Sequence, residues 1–231
     1  MTINELKEQY NELLLNFDEV KAIHFRRELC KTNENEILEF HYNILKKQDN
    51  KNLFYAIRGC FDKHGELGKK FLLRKINEEK DNDLKAEALF LLGTMDCKEV
   101  KPIAIDFLKS NEFKDKYYGI IVLGWLGQNE DISILEKEMM TNSNEELRAY
   151  AATSLRQIYF NYSKLKEKIL FSYYKALKEE LSNEVIINII ACIQDLIRKK
   201  FGIKESQEGD ISGDAISAKA KAIKYLDTII K

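Results

Sequence analysis

Apolar residues recur along this chain at helical spacing, and one arrangement of them returns at a nearly fixed interval. Over twelve positions, apolar or small residues fall at 1, 5, 6, 8, 9 and 12. From Leu84 the pattern reads Leu84, Ala88, Leu89, Leu91, Leu92 and Met95. From Asp115, itself the one departure, it reads Gly119, Ile120, Val122, Leu123 and Leu126. From Leu147 it gives Ala151, Ala152, Ser154, Leu155 and Ile158. Fainter copies start at Leu53 (Ile57, Cys60, Phe61) and at Val185 (Ile189, Ile190, Cys192, Ile193, Leu196). The steps between starts are 31, 31, 32 and 38 residues. A repeat of this length predicts stacked copies of one helical unit whose core grows along an axis.

The polar breaks between the periodic stretches set the element boundaries. Thr2-x-x-Glu5 is a capping box, in which each residue satisfies a backbone N–H of the first turn, and it opens a helix over 3–16. Further helices are expected at 18–30, 34–47 (capped by Thr32 or Asn33), 51–63 (after Asp49 or Asn50) and 67–78. Asp81-Asn82-Asp83 supplies capping oxygens for the 84–95 helix. Pairs follow at 98–109 with 113–126, 131–140 with 144–160, and 163–180 with 183–200. Residues 204–213 hold two glycines and few apolar groups, and are expected to form a flexible loop. A capping helix over 214–231 would close the array, with Ile216, Ala220, Ile223, Leu226 and Ile230 on its apolar stripe.

The segment Glu99-Val100-Lys101-Pro102-Ile103-Ala104-Ile105-Asp106-Phe107-Leu108 resembles the first helix of a HEAT repeat, with its proline in the first turns. Leu84 to Gly93 and Leu147 to Ala152 resemble the second helix, and Gly119 to Gly127 is similar to that helix's closing Leu-Gly-x-Leu-Gly. The match is clearest over 80–160. It implies an all-α fold, a right-handed α-solenoid of stacked antiparallel helix pairs with about 12–13 helices. On that reading 1–231 is a single domain, with atypical helices over 1–50 and HEAT-like repeats over 51–203. The family's Asp and Arg ladder survives only in part, as Asp83 with Lys85 and as Arg148.

Composition narrows the function classes. With 37 basic and 38 acidic side chains the formal net charge is −1, so bulk charge gives no drive toward phosphates and nucleic acid is an unexpected partner. No basic-then-apolar leader or membrane-length apolar run is visible, so a cytoplasmic location without membrane attachment is expected. The abundance of Lys, Ile and Asn suits a bacterial source. Cys30, Cys60, Cys97 and Cys192 lie far apart, with no CxxC and no zinc-finger spacing. His24, His41 and His64 share no HxxxH or HExxH spacing, so neither a metal nor another cofactor is expected.

In such an array the second helices line the concave face. Their positions 3, 4, 7 and 11 lie opposite the buried stripe. The middle row reads Tyr117, Tyr118, Ile121 and Trp125, apolar where a polar face is usual. The flanking rows contain Ala86, Glu87, Phe90 and Thr94, then Ala149, Tyr150, Thr153 and Gln157, then Ile187, Asn188, Ala191 and Asp195. Trp, Tyr and Arg carry most binding energy at protein interfaces. The expected partner-binding residues are therefore Phe90, Tyr117, Tyr118, Ile121, Trp125, Arg148, Tyr150, Gln157 and Asn188.

With no catalytic constellation in view, the expectation is a non-enzymatic module that grips a protein on its concave face. Small bacterial proteins resembling HEAT arrays include adaptors and immunity proteins that neutralise a toxin. Such tight inhibition calls for an acidic or aromatic patch facing a basic target. The alternative that the resemblance implies is a HEAT-like DNA glycosylase acting on alkylated bases, which needs a basic groove, aromatics and a carboxylate. A bilin lyase is a third reading.

Overall fold

In a computed structural model the structure describes every residue except Gln48, Glu208 and Lys231. The chain divides into two compact units, Met1–Val100 and Lys101–Lys231. The division falls inside the stretch read as repeats, between the 84–95 and 113–126 copies. Both units are built of helices, and the one β ladder among the described residues is two residues long on each side.

The first unit runs α1 (Ile3–Leu15), α2 (Glu19–Leu29), α3 (Asn35–Ile44), α4 (Lys51–Arg58), a 3₁₀ turn (Phe61–His64), α5 (Gly65–Glu78) and α6 (Asn82–Thr94). The capping box at Thr2 forms as its sequence predicts: Thr2 Oγ1 accepts from the Glu5 N–H at 3.3 Å, and Glu5 Oε2 accepts from the Thr2 N–H at 2.7 Å. Asn50 caps α4 and Asp81 caps α6, each accepting a backbone N–H three residues on. α3 departs from expectation. It starts behind Glu34 with no side-chain cap, because Asn33 turns to His64 instead. Helix α1 packs on α2, α2 on α4 and α5 on α6. The buried Tyr42 hydroxyl donates to the Leu84 carbonyl at 2.9 Å and so ties α3 to the start of α6.

The second unit comprises α7 (Lys101–Phe107), α8 (Phe113–Leu126), α9 (Ile132–Thr141), α10 (Glu145–Asn161), α11 (Lys166–Glu179), α12 (Asn183–Ile197), strands β1 (Lys204–Glu205) and β2 (Ile211–Ser212), and α13 (Ala215–Ile229). Consecutive helices pair as α7 with α8, α9 with α10 and α11 with α12, while α10 also lies against α8 and α12. The approach of α8 to α10 is close: a Cβ on Gly124 would stand 2.8 Å from Ser154 Cβ.

The repeat signature describes the buried face in every copy. Leu84, Ala88, Leu89, Leu91 and Leu92 are buried, as are Ile120, Val122, Leu123 and Leu126, then Leu147, Ala151, Ala152, Leu155 and Ile158. Val185, Ile189, Ile190, Cys192, Ile193 and Leu196 follow suit, and so do Leu53, Ile57, Cys60 and Phe61 in the first unit. Met95, at the end of its copy, is only half-buried.

Two C-terminal features differ from the sequence reading. The 204–213 segment, expected as a loop, pairs Lys204 with Ser212 and Glu205 with Ile211 in an antiparallel hairpin. Its approach is fixed by Gln194, whose Oε1 accepts from the Phe201 N–H at 2.6 Å and whose Nε2 donates to the Ile203 carbonyl at 3.0 Å. Glu208, within that segment, and Lys231, at the end of the expected 214–231 helix, lie outside the described residues. Helix α13 does pack on α11 and α12, but through Ala215, Ala218, Ala222 and Leu226, leaving Ile216 76% exposed. Three alanines let the helix sit close, and that close face wins over the bulkier stripe beside it.

Candidate functional site

The outward positions of α8, α10 and α12 remain partly open. Tyr117, Ile121 and Trp125 on α8, Tyr150, Thr153 and Gln157 on α10, and Ile187 and Asn188 on α12 are all half-buried. The ring centroids of Tyr117 and Tyr150 lie 4.7 Å apart in an edge arrangement across the α8–α10 seam. Phe113, itself 40% exposed, stacks on Tyr117 with centroids 6.2 Å apart. Three aromatic rings from two helices thus form one patch.

From Tyr150 the surface falls into a groove of about 550 Å³. Ala149, Thr153, Ile187 and Asn188 form its floor, and the hairpin residues Glu205, Asp210 and Ile211 form its far wall. Glu146 and Glu184 complete a lining with four carboxylates and a single cation, Arg156. That cation is already matched: Arg156 donates to Glu205 through both terminal nitrogens, at 2.8 and 3.2 Å, and to Asp195 at 2.9 Å. The groove is net negative. The Tyr150 hydroxyl donates to Glu146 at 3.1 Å, and burial together with that carboxylate pushes the phenol up to about 12.

On the other side of Glu205 a second groove of about 820 Å³ opens between α10, α12 and β1. Arg198, Lys199, Lys200 and Lys204 outnumber Asp195 and Glu205 in its lining, beside Tyr159 and Phe160, and make it net positive.

Not every expected contact residue belongs to the open face. Tyr118 is only 6% exposed and packs inward, so it cannot serve as a hot spot. Arg148 is committed to the fold. Its Nε and Nη2 donate to Glu180 at 2.8 and 2.9 Å, and Nη1 donates to the Asn142 carbonyl. Gln157 donates to Asn161, and Asn188 donates back to the Glu184 carbonyl. Phe90 belongs to the first unit, where the Arg58 guanidinium carbon sits 3.3 Å above its ring. Glu87, on the same outward row, is wholly buried in an ion pair with Arg58.

A second constellation occupies the first unit, where no sequence spacing announced it. Cys30 ends α2, His41 projects from the last turn of α3, and His64 closes the 3₁₀ turn after α4. One ring nitrogen from each histidine and the Cys30 sulfur lie within 4.8 Å of one another. His41 Nδ1 and His64 Nε2 face each other at 2.9 Å. On their far sides, His41 Nε2 meets the Ile57 carbonyl at 3.0 Å and His64 Nδ1 meets Asn33 Oδ1 at 2.8 Å.

Burial governs the titration of this group. Desolvation, reinforced by the neighbouring His64, holds His41 down at about 3 against the pull of the Ile57 carbonyl. Desolvation likewise holds His64 at about 4, with a hydrogen bond from the ring to the Thr32 backbone carbonyl working the other way. Cys60 lies beside Cys30. The hydrogen bond between the two lowers the Cys30 thiol, while the same neighbour and burial push Cys60 up. Gly68 lets α5 close over this turn, since a Cβ there would stand 2.5 Å from His64 Cβ.

No protein-family model matches the sequence, and a search of curated proteins found no match.

Proposed function

We propose that the protein is a binding module whose second unit holds a cationic segment of a protein partner against the Tyr117–Tyr150 patch and the acidic groove beside it. The observation that carries this reading is the continuity of aromatic patch and groove through Tyr150. Aromatic rings bury large area at little entropic cost, and the carboxylates supply orientation and association rate for Lys or Arg. The α7–α12 pairing supports a HEAT-like stack in this unit, in which α8, α10 and α12 share one face. A toxin neutralised by this chain would be one such partner, and the reading is non-enzymatic.

Peptide display tests it directly. Random peptides selected on the full chain are expected to converge on Lys- or Arg-rich sequences with an apolar anchor. Tyr150→Ala should weaken a selected peptide by about 10-fold or more, as a hot-spot residue does, with the thermal melt retained. Enrichment of acidic sequences, or affinity indifferent to Tyr117→Ala and Tyr150→Ala, would remove the reading.

The larger groove favours a second reading. Four cationic side chains beside Tyr159 and Phe160 suit an anionic ligand, and nucleic acid is the class that the glycosylase alternative requires. A salt-sensitive shift with abasic or alkylated duplex, abolished by Lys200→Glu, would establish it.

A further inference from the structure

We propose that Cys30, His41 and His64 form a binding site for Zn²⁺ that pins the end of α2, the middle of the first unit and the turn after α4 to one another. A carbonyl oxygen only accepts, so His41 Nε2, 3.0 Å from the Ile57 carbonyl, carries its ring proton and leaves Nδ1 bare. His64 Nδ1, 2.8 Å from Asn33 Oδ1, is held the same way and leaves Nε2 bare. The two bare nitrogens are the pair that face each other at 2.9 Å. In that arrangement two lone pairs face one point, and a cation between them would relieve their repulsion.

A shared proton would place an imidazolium where His41 and His64 are 0% and 2% exposed, which desolvation opposes. A metal cation meets the same desolvation but brings several ligands with it, one of them an anionic thiolate. The outer nitrogens of metal-bound histidines characteristically donate to carbonyl or carboxylate oxygens, which fixes the tautomer and aims the inner lone pair. Ile57 and Asn33 stand in that relation to His41 and His64.

The donor set points to the metal. Two imidazoles and one thiolate suit a borderline-soft, tetrahedral cation. At ordinary Zn–N and Zn–S lengths the nitrogens stand about 3.3 Å apart and the sulfur about 3.5 Å from each. The histidines would open by roughly 0.4 Å to reach that geometry, and the Cys30 thiol, which donates to the Cys60 carbonyl at 3.2 Å, would give up that bond on becoming a thiolate ligand. Cys30 is the half-buried member of the trio, and Asn33, the partner of His64, is exposed, so the site has a route to solvent for a water as fourth ligand. Three separate elements meet here, so binding of the metal would be coupled to folding of the first unit.

The metal-free alternative is specific. With the Asn33 amide turned over, its NH₂ donates to His64 Nδ1, His64 Nε2–H donates to His41 Nδ1, and His41 Nε2–H donates to Ile57. That relay needs no ion, and the experiment separates the two. The full chain, freed of metal with a chelator, is titrated with Co²⁺ as a spectroscopic stand-in and with Zn²⁺ against a chromophoric competitor. One equivalent of Co²⁺ should give tetrahedral ligand-field bands and a thiolate charge-transfer band. Cys30→Ser should lose that charge-transfer band, while Cys97→Ser keeps it. Asn33→Ala, which removes only the acceptor that holds His64 Nδ1–H at an exposed position, should weaken Zn²⁺ about 10- to 100-fold. Zn²⁺ should raise the melting temperature of the wild type and leave that of Cys30→Ser unmoved. Absence of saturable Co²⁺ binding by the wild type, or a charge-transfer band that survives Cys30→Ser, overturns the proposal. So does a nitrogen NMR spectrum of Zn²⁺-treated protein that still shows the His64 Nε2–H to His41 Nδ1 bond.

Discussion

The Glu87 carboxylate and the Arg58 guanidinium form an ion pair at 2.9 Å inside the first unit, with Glu87 wholly removed from solvent. The same guanidinium covers the Phe90 ring, so one cation neutralises a buried acid and closes an aromatic face. Truncating one partner strands the other. Glu87→Ala or Arg58→Ala is expected to destabilise the protein by about 3–5 kcal/mol, whereas the joint change Arg58→Met with Glu87→Leu should cost far less. Chemical denaturation of the single and double variants checks this. Additive losses would show that the two residues are not coupled.

Gly124 makes a sharper test of packing in the second unit. An added methyl would stand 2.8 Å from Ser154, and the contact is with a neighbouring helix, not with a yielding side-chain tip. Gly124→Ala should therefore lower stability by about 1–3 kcal/mol despite the better helix propensity of alanine. Pairing it with Ser154→Gly should restore part of the loss. A stabilised single variant would mean that α8 and α10 can part freely.

Acid should loosen the second unit through Glu180. Burial pushes this carboxyl up, but the Arg148 fork and the backbone N–H groups of Ser182 and Leu181 outweigh it and hold Glu180 below its ordinary value. A carboxylate whose folded pKa is depressed adds stability that is complete above the unfolded value of 4.5 and is lost as pH falls through the folded one. Melting temperature should drop on acidification below about 4.5, and Arg148→Met should flatten that limb. An unchanged acid limb in Arg148→Met would assign the loss to other carboxylates.

The hairpin hangs on Arg156. Removing its guanidinium with Arg156→Met breaks both bonds to Glu205 and the bond to Asp195. Limited proteolysis within residues 204–213 should accelerate several-fold while the α10 and α12 cores stay protected. Equal cutting rates would show that Gln194 alone holds the segment.

The helical fold was legible because burial repeats. The twelve-position signature names the inward residues of α6, α8, α10 and α12 with almost no error, since each copy meets the same packing demand. The outward row was read less well. Glu87 sits at a nominally exposed position, yet Arg58 from a helix some thirty residues earlier draws it inside, and no helical period encodes a partner at that distance. Arg148 shows the same limit, since its fork is consumed by Glu180. The Cys30, His41 and His64 group was illegible for a related reason: its members come from three elements, 11 and 23 residues apart, and only tertiary folding joins them. One local clue existed. Asn33, expected to cap α3, leaves that helix uncapped.

Glu205 lines both grooves of the second unit, the acidic one and the cationic one. A dividing wall whose carboxylate is held by Arg156 cannot swing toward one side without yielding space on the other. Occupants of the two grooves would thus sense each other: a cationic guest that draws Glu205 toward the acidic groove leaves more room, and one carboxylate fewer, for an anionic guest on the other side. By linkage the effect runs equally in reverse. The hairpin would then act as a balance beam between two ligands of opposite sign, and mixed titrations would read its tilt as mutual enhancement.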